Sequence, residues 1–240
     1  MQDDTIISVL NGAVRLQQIE GGFKTSIDAV LLAASCPAKN GQSILDLGCG
    51  VGSAGLSVLH RLPQSTLKGI DIQADHIEIA NGNAALNNRQ AVFECADIRS
   101  YQGALFDHVI CNPPFEDAGA HLVSPSDKKA AARGHLQGDI NLEDWVKCAF
   151  NNLKSGGSLS IIHKAGATQK ILQAFGKSFG ATEIIPLWPK SGKEAKRVII
   201  RTRKHRKSPA HIHPGLVLHD EDGTYTKAAE MILRQGKGLL

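Results

Sequence analysis

The chain has 240 residues, with 27 basic and 23 acidic side chains and a formal net charge of +4. Hydrophobic residues make up 42% and charged residues 21%, which excludes a wholly disordered chain and fits one large domain with an ample core. The charge is too mild to imply a nucleic-acid partner by itself, and a 5% aromatic content argues against an extended stacking platform for single strands. The five cysteines, at 36, 49, 95, 111 and 148, include no C-x-x-C pair. Neither a zinc cluster nor a redox pair is indicated, and the scatter suits a reducing compartment. Met1-Gln2-Asp3-Asp4 is acidic with no apolar stretch behind it, and no run approaches about 18 apolar residues. A cytoplasmic protein without a membrane span is expected.

In chain order, Ser26 to Ala34 has a polar start and an apolar, helix-like body that Pro37 limits. Ser43 to Leu47 is a short apolar run that ends in a glycine turn and reads as a buried strand, and Ser53 to Arg61 reads as the helix after it. The alternation continues with strand Thr66 to Asp71, helix Ala74 to Leu86 (rich in Ala, Ile and Asn), and strands Ala91 to Cys95 and Leu105 to Cys111. The segment Glu116 to Asp139 has little periodicity and reads as a functional loop or insertion beside a site. Leu142 to Leu153 is an amphipathic helix, after which Gly156-Gly157 is expected to turn the chain into strand Ser158 to His163. Helix Lys170 to Phe179 and strands Thr182 to Trp188 and Arg197 to Thr202 complete the pattern. Strands separated by helices predict βαβ units: an α/β sandwich of three layers with a mostly parallel sheet. No repeat is visible. One domain is expected, with an N-terminal segment 1–40, a core sheet 41–203 and a basic extension 204–240.

Asp46-Leu47-Gly48-Cys49-Gly50-Val51-Gly52 runs from a strand through a glycine turn into a helix. Glycines let the backbone turn tightly against a ligand, and the helix N-terminus offers free N–H groups. Asp71 ends the next strand 25 positions after Asp46, where a carboxylate can accept both hydrogen bonds of a ribose diol. Asp97, after the third strand, is placed to hold an adenine amino group. Gly50-x-Gly52-x-x-Gly55 formally matches a dinucleotide fingerprint. S-adenosylmethionine competes for the same arrangement: Asp46 suits a ligand with an ammonium group and repels a pyrophosphate.

The second motif decides between them. Strand Leu105 to Cys111 ends in Asn112-Pro113-Pro114-Phe115. Ligands of open α/β sheets bind outside the carboxyl ends of the strands, which puts this motif beside the cofactor turn. A conjugated exocyclic amine is a poor nucleophile because its lone pair is delocalised. The Asn112 side-chain oxygen and the Pro113 carbonyl can each accept one amine hydrogen, which favours a pyramidal nitrogen and stabilises the charge that develops on it. Pro113 and Pro114 stiffen the turn, and Phe115 can stack on a flat substrate. Turn chemistry alone would also explain Asn and Pro, but not their position after a cofactor loop.

At these residues the chain resembles a class I, Rossmann-like, S-adenosylmethionine-dependent methyltransferase that acts on amines. Gly22-Phe23-Lys24-Thr25-Ser26-Ile27-Asp28 through Leu32, Pro186 to Lys190, Ala195 to Arg201, Gly215 to His219 and Gly223 to Thr226 are similar to the bacterial tRNA1(Val) adenine-37 N6-methyltransferase family. That resemblance implies a seven-stranded sheet with the last strand antiparallel. It implies that Asp46, Gly48, Gly50, Asp71, Asp97 and Asn112 line the cofactor pocket, that Lys24 and Asp28 close it, and that Asn112 to Phe115 hold a target adenine.

From Lys190 to Lys207 nine basic residues stand against one acid, Glu194. Such a cluster suits phosphate contacts, and Lys190, Lys193, Lys196, Arg197 and Arg203 are the expected contacts to a tRNA. Lys128, Lys129, Arg133 and His135 are possible additions, and a charged strand edge that blocks aggregation is the competing reading. His205, His211, His213 and His219 have no cysteine partner, so no metal is expected. Trp145 is expected in the core, and Trp188 against the tail or near the substrate. The expected reaction is methyl transfer to N6 of a tRNA adenosine. The alternatives are a protein glutamine amide as acceptor, a non-catalytic RNA-binding module on the same fold, and a dehydrogenase, for which the Asn-Pro-Pro-Phe turn has no use.

Overall fold

Apolar runs too short to bury themselves alone assemble edge to edge, and the helices between them cover both faces of the resulting sheet. The computed structural model describes residues 6–19, 25–115 and 140–239. It opens with strands β1 (Ile6–Val9) and β2 (Val14–Gln17), helix α1 (Ile27–Ser35), β3 (Ser43–Leu47), α2 (Ser53–Arg61), β4 (Thr66–Asp71), α3 (Ala74–Leu86), β5 (Ala91–Cys95) and β6 (Phe106–Cys111). After these come α4 (Leu142–Asn152), β7 (Leu153–Lys164), α5 (Thr168–Phe175), β8 (Phe179–Trp188) and β9 (Arg197–Lys204). The short strands β10 (His211–Ile212) and β11 (Leu216–Val217) and helix α6 (Lys227–Leu233) end the chain.

The main sheet runs in the order β5-β4-β3-β6-β7-β9-β8, with β10 and β11 both alongside β8. Every pairing is parallel except those of β9, which is antiparallel to β7 and to β8. The seven-stranded pattern with its antiparallel last strand is therefore present, extended at one edge by β10 and β11. Helices α1, α2, α3 and α6 pack on one face around Leu31, Leu56, Ala80 and Ile232, while α4 and α5 cover the other around Trp145, Ala149, Ile171 and Phe175.

The structure corrects the sequence reading at four places. Strand β7 starts at Leu153, earlier than expected, and bulges through Gly156-Gly157, where its register on β6 jumps from Phe106–Leu153 to His108–Ser158; regular pairing begins at Ser158. Glycine is needed because a Cβ on Gly157 would lie 2.8 Å from the Asp107 carbonyl of β6. Helix α5 ends at Phe175, before Gly176 at φ +53°, and β8 starts three residues early at Phe179. The segment after residue 204 does not merely extend the chain: β10 and β11 join the sheet, and α6 buries Ala229, Ile232 and Leu233 against α1 and α2. The β1–β2 hairpin is a fourth element absent from the reading. The segment Glu116 to Asp139, which carries Lys128, Lys129, Arg133 and His135, lies outside the described residues.

The hairpin is tied to α3 by two asparagines one helical turn apart. Asn87 accepts from the Arg15 N–H at 2.9 Å and donates to the Arg15 carbonyl at 2.6 Å. Asn83, fully buried, accepts from the Gln17 N–H at 2.7 Å and donates to the Gln17 carbonyl at 3.1 Å and the Val51 carbonyl at 2.9 Å. These side-chain amides stand in for a missing neighbouring strand. Replacing Asn83 by Ala strands three backbone groups and is expected to cost roughly 2–3 kcal/mol in urea unfolding, with faster hydrogen exchange at Gln17.

Candidate active site

The site follows from strand register. Leu47 of β3 is level with Ile70 of β4 and with Cys111 of β6, so the next residues, Gly48, Asp71 and Asn112, stand at one height at the carboxyl edge of the sheet. The strand order also reverses at β3, with β4 on one side and β6 on the other, which opens a crevice at the carboxyl ends. A cavity of about 1130 Å³ fills it, walled by Asp46, the 48–51 turn, Asp71, Asn112 to Phe115, Trp145 and His163 among others.

The Asp71 carboxylate shapes the glycine turn. Its Oδ2 accepts from the Gly50 N–H at 2.9 Å, its Oδ1 accepts from the Gln73 N–H at 2.9 Å, and His76 Nδ1 stands 3.7 Å away. Gly48 has φ +64°, and a Cβ there would meet the Trp145 ring at 2.4 Å, so the turn and that indole fit only around a glycine. Gly50, at φ +53°, faces open space in which a Cβ would touch nothing within 4 Å. Asp46 is 2% exposed, and its Oδ2 accepts from the Gly55 N–H at 3.0 Å in the first turn of α2. Burial pushes its pKa up to about 7, opposed by the Gly55 N–H and reinforced by the charge on Asp71. Two carboxylates beside a glycine-rich turn fit a ligand that carries both a cationic amine and a ribose diol; they do not fit a pyrophosphate.

Beyond this wall lies the Asn112 turn. The Asn112 Oδ1 is buried and has no hydrogen-bond partner among the described residues. Phe115 sits between two side chains: the His163 ring meets it edge-on at 4.8 Å and 64°, and the Arg197 guanidinium lies over it at 4.8 Å. His163 is 6% exposed, and its Nδ1 accepts from the Lys164 N–H at 2.9 Å, which leaves the ring proton on Nε2. Burial holds its pKa below the usual histidine range, reinforced by the charges on Lys164 and Arg197 and opposed by the Pro114 carbonyl.

Asp46, Gly48, Gly50, Asp71, Asn112, Pro113, Pro114 and Phe115 thus share one cavity. Lys24 lies outside the described residues. Two expected cofactor residues are displaced from the wall. Asp97 turns to Arg99, whose side chain reaches it at 2.5 Å and whose N–H adds a bond at 2.8 Å, holding the carboxyl below its ordinary range; Ala96 and Ile98 line the cavity instead. Asp28, in the first turn of α1, faces β9 and pairs with Arg197 Nε at 3.0 Å. Sequence reasoning missed Thr25, Ser53, His76, Glu143, His163 and Lys170 as wall residues. For His163 the signal was available, since it closes a strand whose carboxyl end points to the crevice.

The basic stretch divides. Lys193 and Lys196 are exposed. Lys190 Nζ donates to the Glu221 carbonyl at 2.7 Å, and Arg203 donates to the Gly156 carbonyl at 3.2 Å. Lys204 donates to the carbonyls of Phe150 and Leu153 at 2.7 and 2.8 Å, and Arg201 bonds Glu183 and the Ser35 carbonyl. Trp188 donates to the Pro214 carbonyl at 3.0 Å, against the tail. Among the described residues no cluster of three His, Cys, Asp or Glu side chains is arranged to hold a metal, and no helix is long and apolar enough to cross a membrane.

The sequence matches the methyltransferase small domain over residues 24–186. The chain belongs to that family. It is a methyltransferase that uses S-adenosylmethionine. It is 27% identical over 209 residues to the tRNA1(Val) (adenine(37)-N6)-methyltransferase of Aeromonas hydrophila, covering 85% of this chain and 86% of that protein. The enzyme of the same name from Shewanella amazonensis is 25% identical over 219 residues, covering 89% and 91%. The crystal structure of a predicted O-methyltransferase, protein Atu636 from Agrobacterium tumefaciens, superposes with a TM-score of 0.72 at 25% identity and covers 89% of this chain and 98% of that one.

Two outcomes follow from the carboxylates. Asp71→Ala removes the diol acceptor and is expected to weaken S-adenosylhomocysteine binding by about 10- to 100-fold in calorimetric titration. For Asp46 the folded pKa lies above the unfolded value, so the cofactor-free protein loses stability as pH climbs from 3.8 toward about 7 and the loss levels off above that. Asp46→Asn still accepts the Gly55 N–H and removes this component; thermal unfolding at pH 5 and pH 8 is expected to show the variant gaining on the wild type.

Proposed function

We propose that this methyltransferase acts on the N6 amine of an adenosine in tRNA, with adenosine 37 as the favoured position. The observation that carries the reading is the buried, unpartnered Oδ1 of Asn112 at the end of β6. An amine brings two hydrogens: one meets that oxygen, and the other meets the Pro113 carbonyl of the same stiff turn. An oxygen acceptor brings one hydrogen at most and leaves half of this arrangement unused, which argues against O-methylation in this cavity. The flat face of Phe115 suits a heteroaromatic ring better than a glutamine amide, and the two relatives named above are tRNA adenine N6-methyltransferases.

When bound, S-adenosylmethionine supplies an electrophilic methyl group on a sulfonium. Asp71 and the 48–50 turn fix the ribose end, and Asp46 faces the ammonium. Asn112 and Pro113 hold the target nitrogen with its lone pair directed at the donor side of the cavity, and their acceptor dipoles stabilise the positive charge that develops on it. The rest of the rate comes from alignment of two held reactants. The target base leaves its loop to enter the cavity. Lys193 and Lys196, exposed beside Arg197, and Lys170 at the cavity wall are the phosphate contacts; Lys190 and Arg203 take part through donors not already bonded to carbonyls. A tRNA substrate suits a cytoplasmic protein.

The test is transfer of labelled methyl from S-adenosylmethionine to bacterial tRNA that lacks its native modification, followed by nucleoside analysis. A labelled N6-methyladenosine peak is expected, and Asn112→Ala is expected to abolish it while retaining S-adenosylhomocysteine affinity. Label on a protein glutamine, or none on tRNA, overturns the reading. Lys193→Ala and Lys196→Ala are each expected to lower the salt slope of tRNA binding by about 1.

A further inference from the structure

Arg197 was expected on the RNA and Asp28 on the cofactor, yet each is spent on the other. Asp28 leaves the first turn of α1, Arg197 opens β9, and they meet 169 residues apart in sequence at 3.0 Å. The Asp28 side chain is 9% exposed and that of Arg197 33%, so the carboxylate end of the pair is shielded from solvent and salt and the guanidinium is half-buried. The guanidinium held in this way lies over one face of Phe115, and the His163 ring, from the next strand, fixes the edge. Strand register makes the arrangement specific: Arg197 is paired with Lys164, and Val198 with His163, so both side chains rise from the end of the sheet that Phe115 crosses.

We infer that Asp28 and Arg197 are positioning residues for the acceptor: Asp28 orients Arg197, and Arg197, with His163, holds the Phe115 ring in the plane on which the target base stacks. This rests on the adenosine reading of the same site. It deepens that reading by assigning base alignment to a helix that touches neither reactant through this side chain. A planar guanidinium is required, because an ammonium can pair with Asp28 but cannot lie flat on the ring.

The experiment uses the full chain as wild type, Asp28→Ala, Arg197→Ala, Arg197→Lys and the Asp28→Ala/Arg197→Ala double variant, with Lys177→Ala, exposed and away from the cavity, as a control for surface charge. Each is examined by single-turnover methyl transfer at saturating tRNA and by ¹⁹F resonance of 4-fluorophenylalanine placed at position 115. Asp28→Ala and Arg197→Ala are each expected to slow transfer by about 10- to 100-fold, and the double variant to be no slower than Arg197→Ala alone. S-adenosylhomocysteine affinity and the salt slope of tRNA binding are expected to stay at wild-type values. The ¹⁹F resonance is expected to shift or broaden in all four variants, Arg197→Lys included, and not in Lys177→Ala. A salt slope lowered by about 1 in Arg197→Ala, with transfer intact at saturating tRNA, makes Arg197 a phosphate contact and overturns the inference. Lost cofactor affinity in Asp28→Ala overturns it in favour of a cofactor residue. If the wild type does not methylate tRNA, the adenosine reading fails, and the ¹⁹F comparison still decides whether the pair holds Phe115. If Asp28→Ala does not fold, Arg197→Lys carries the same decision, because it keeps the charge and loses only the stack.

Discussion

Everything the enzyme does depends on three strand ends reaching one level. The parallel register of β3 with β4 and β6 delivers Gly48, Asp71 and Asn112 side by side, and the reversal of strand order at β3 keeps helices from covering them. The crevice gathers two carboxylates, Asp46 and Asp71, whose mutual repulsion and burial are unfavourable. The backbone offsets part of that cost: N–H groups of Gly50, Gln73 and Gly55 point at the two side chains. The glycine turn is therefore shaped twice, from one side by the Asp71 carboxylate and from the other by the Trp145 ring, which leaves Gly48 no room for a Cβ.

A second constraint links the two halves of the cavity. Helix α1 has no basic residue in its last turn, and its terminal carbonyls are met from outside: Arg61 donates to those of Ala33 and Cys36, and Arg201 to that of Ser35. At the other end Asp28 takes Arg197. Arg197 and Arg201 lie on the same face of β9, four residues apart, and so grip both ends of one helix. The antiparallel insertion of β9 makes this possible, because it brings the start of that strand to the carboxyl ends of β6 and β7, where Phe115 and His163 stand.

The central elements were readable because each is a full strand or helix with its own apolar period. The boundaries of β3, α2, β4, α3 and β5 agree with the sequence reading to the residue. The hairpin was also marked, by Asn11-Gly12 between two short apolar runs, but four-residue strands paired only with each other carry little pattern. The two-residue strands β10 and β11 carry none at all. In the site, the sequence placed residues at strand ends and was reliable about the backbone. It was unreliable about side-chain direction where a near or distant arginine intervened: Arg99, two positions on, claims Asp97, and Arg197 claims Asp28. Charge density misled in the same way. Nine cations in 18 residues suggest a binding face, but donors on Arg201, Arg203 and Lys204 end on carbonyls of their own fold, which no count of charges reveals.

The unpartnered Asn112 oxygen is the counterpart of all this satisfied polarity. A buried acceptor without a donor costs on the order of 1–3 kcal/mol, and in this fold other buried amides, such as Asn83 and Asn152, are fully engaged. Relaxing Asn112 toward a neighbouring N–H would be the simple remedy. The turn prevents it: Pro113 and Pro114 have no N–H to offer, and their rings restrict the backbone that would have to move. The same two prolines thus withhold a donor from Asn112, whose buried oxygen stays unpaired among the described residues beside the cavity that Asn112 and Pro113 line. In the proposed reading, the two hydrogens of one exocyclic amine, held flat against Phe115, complete the arrangement.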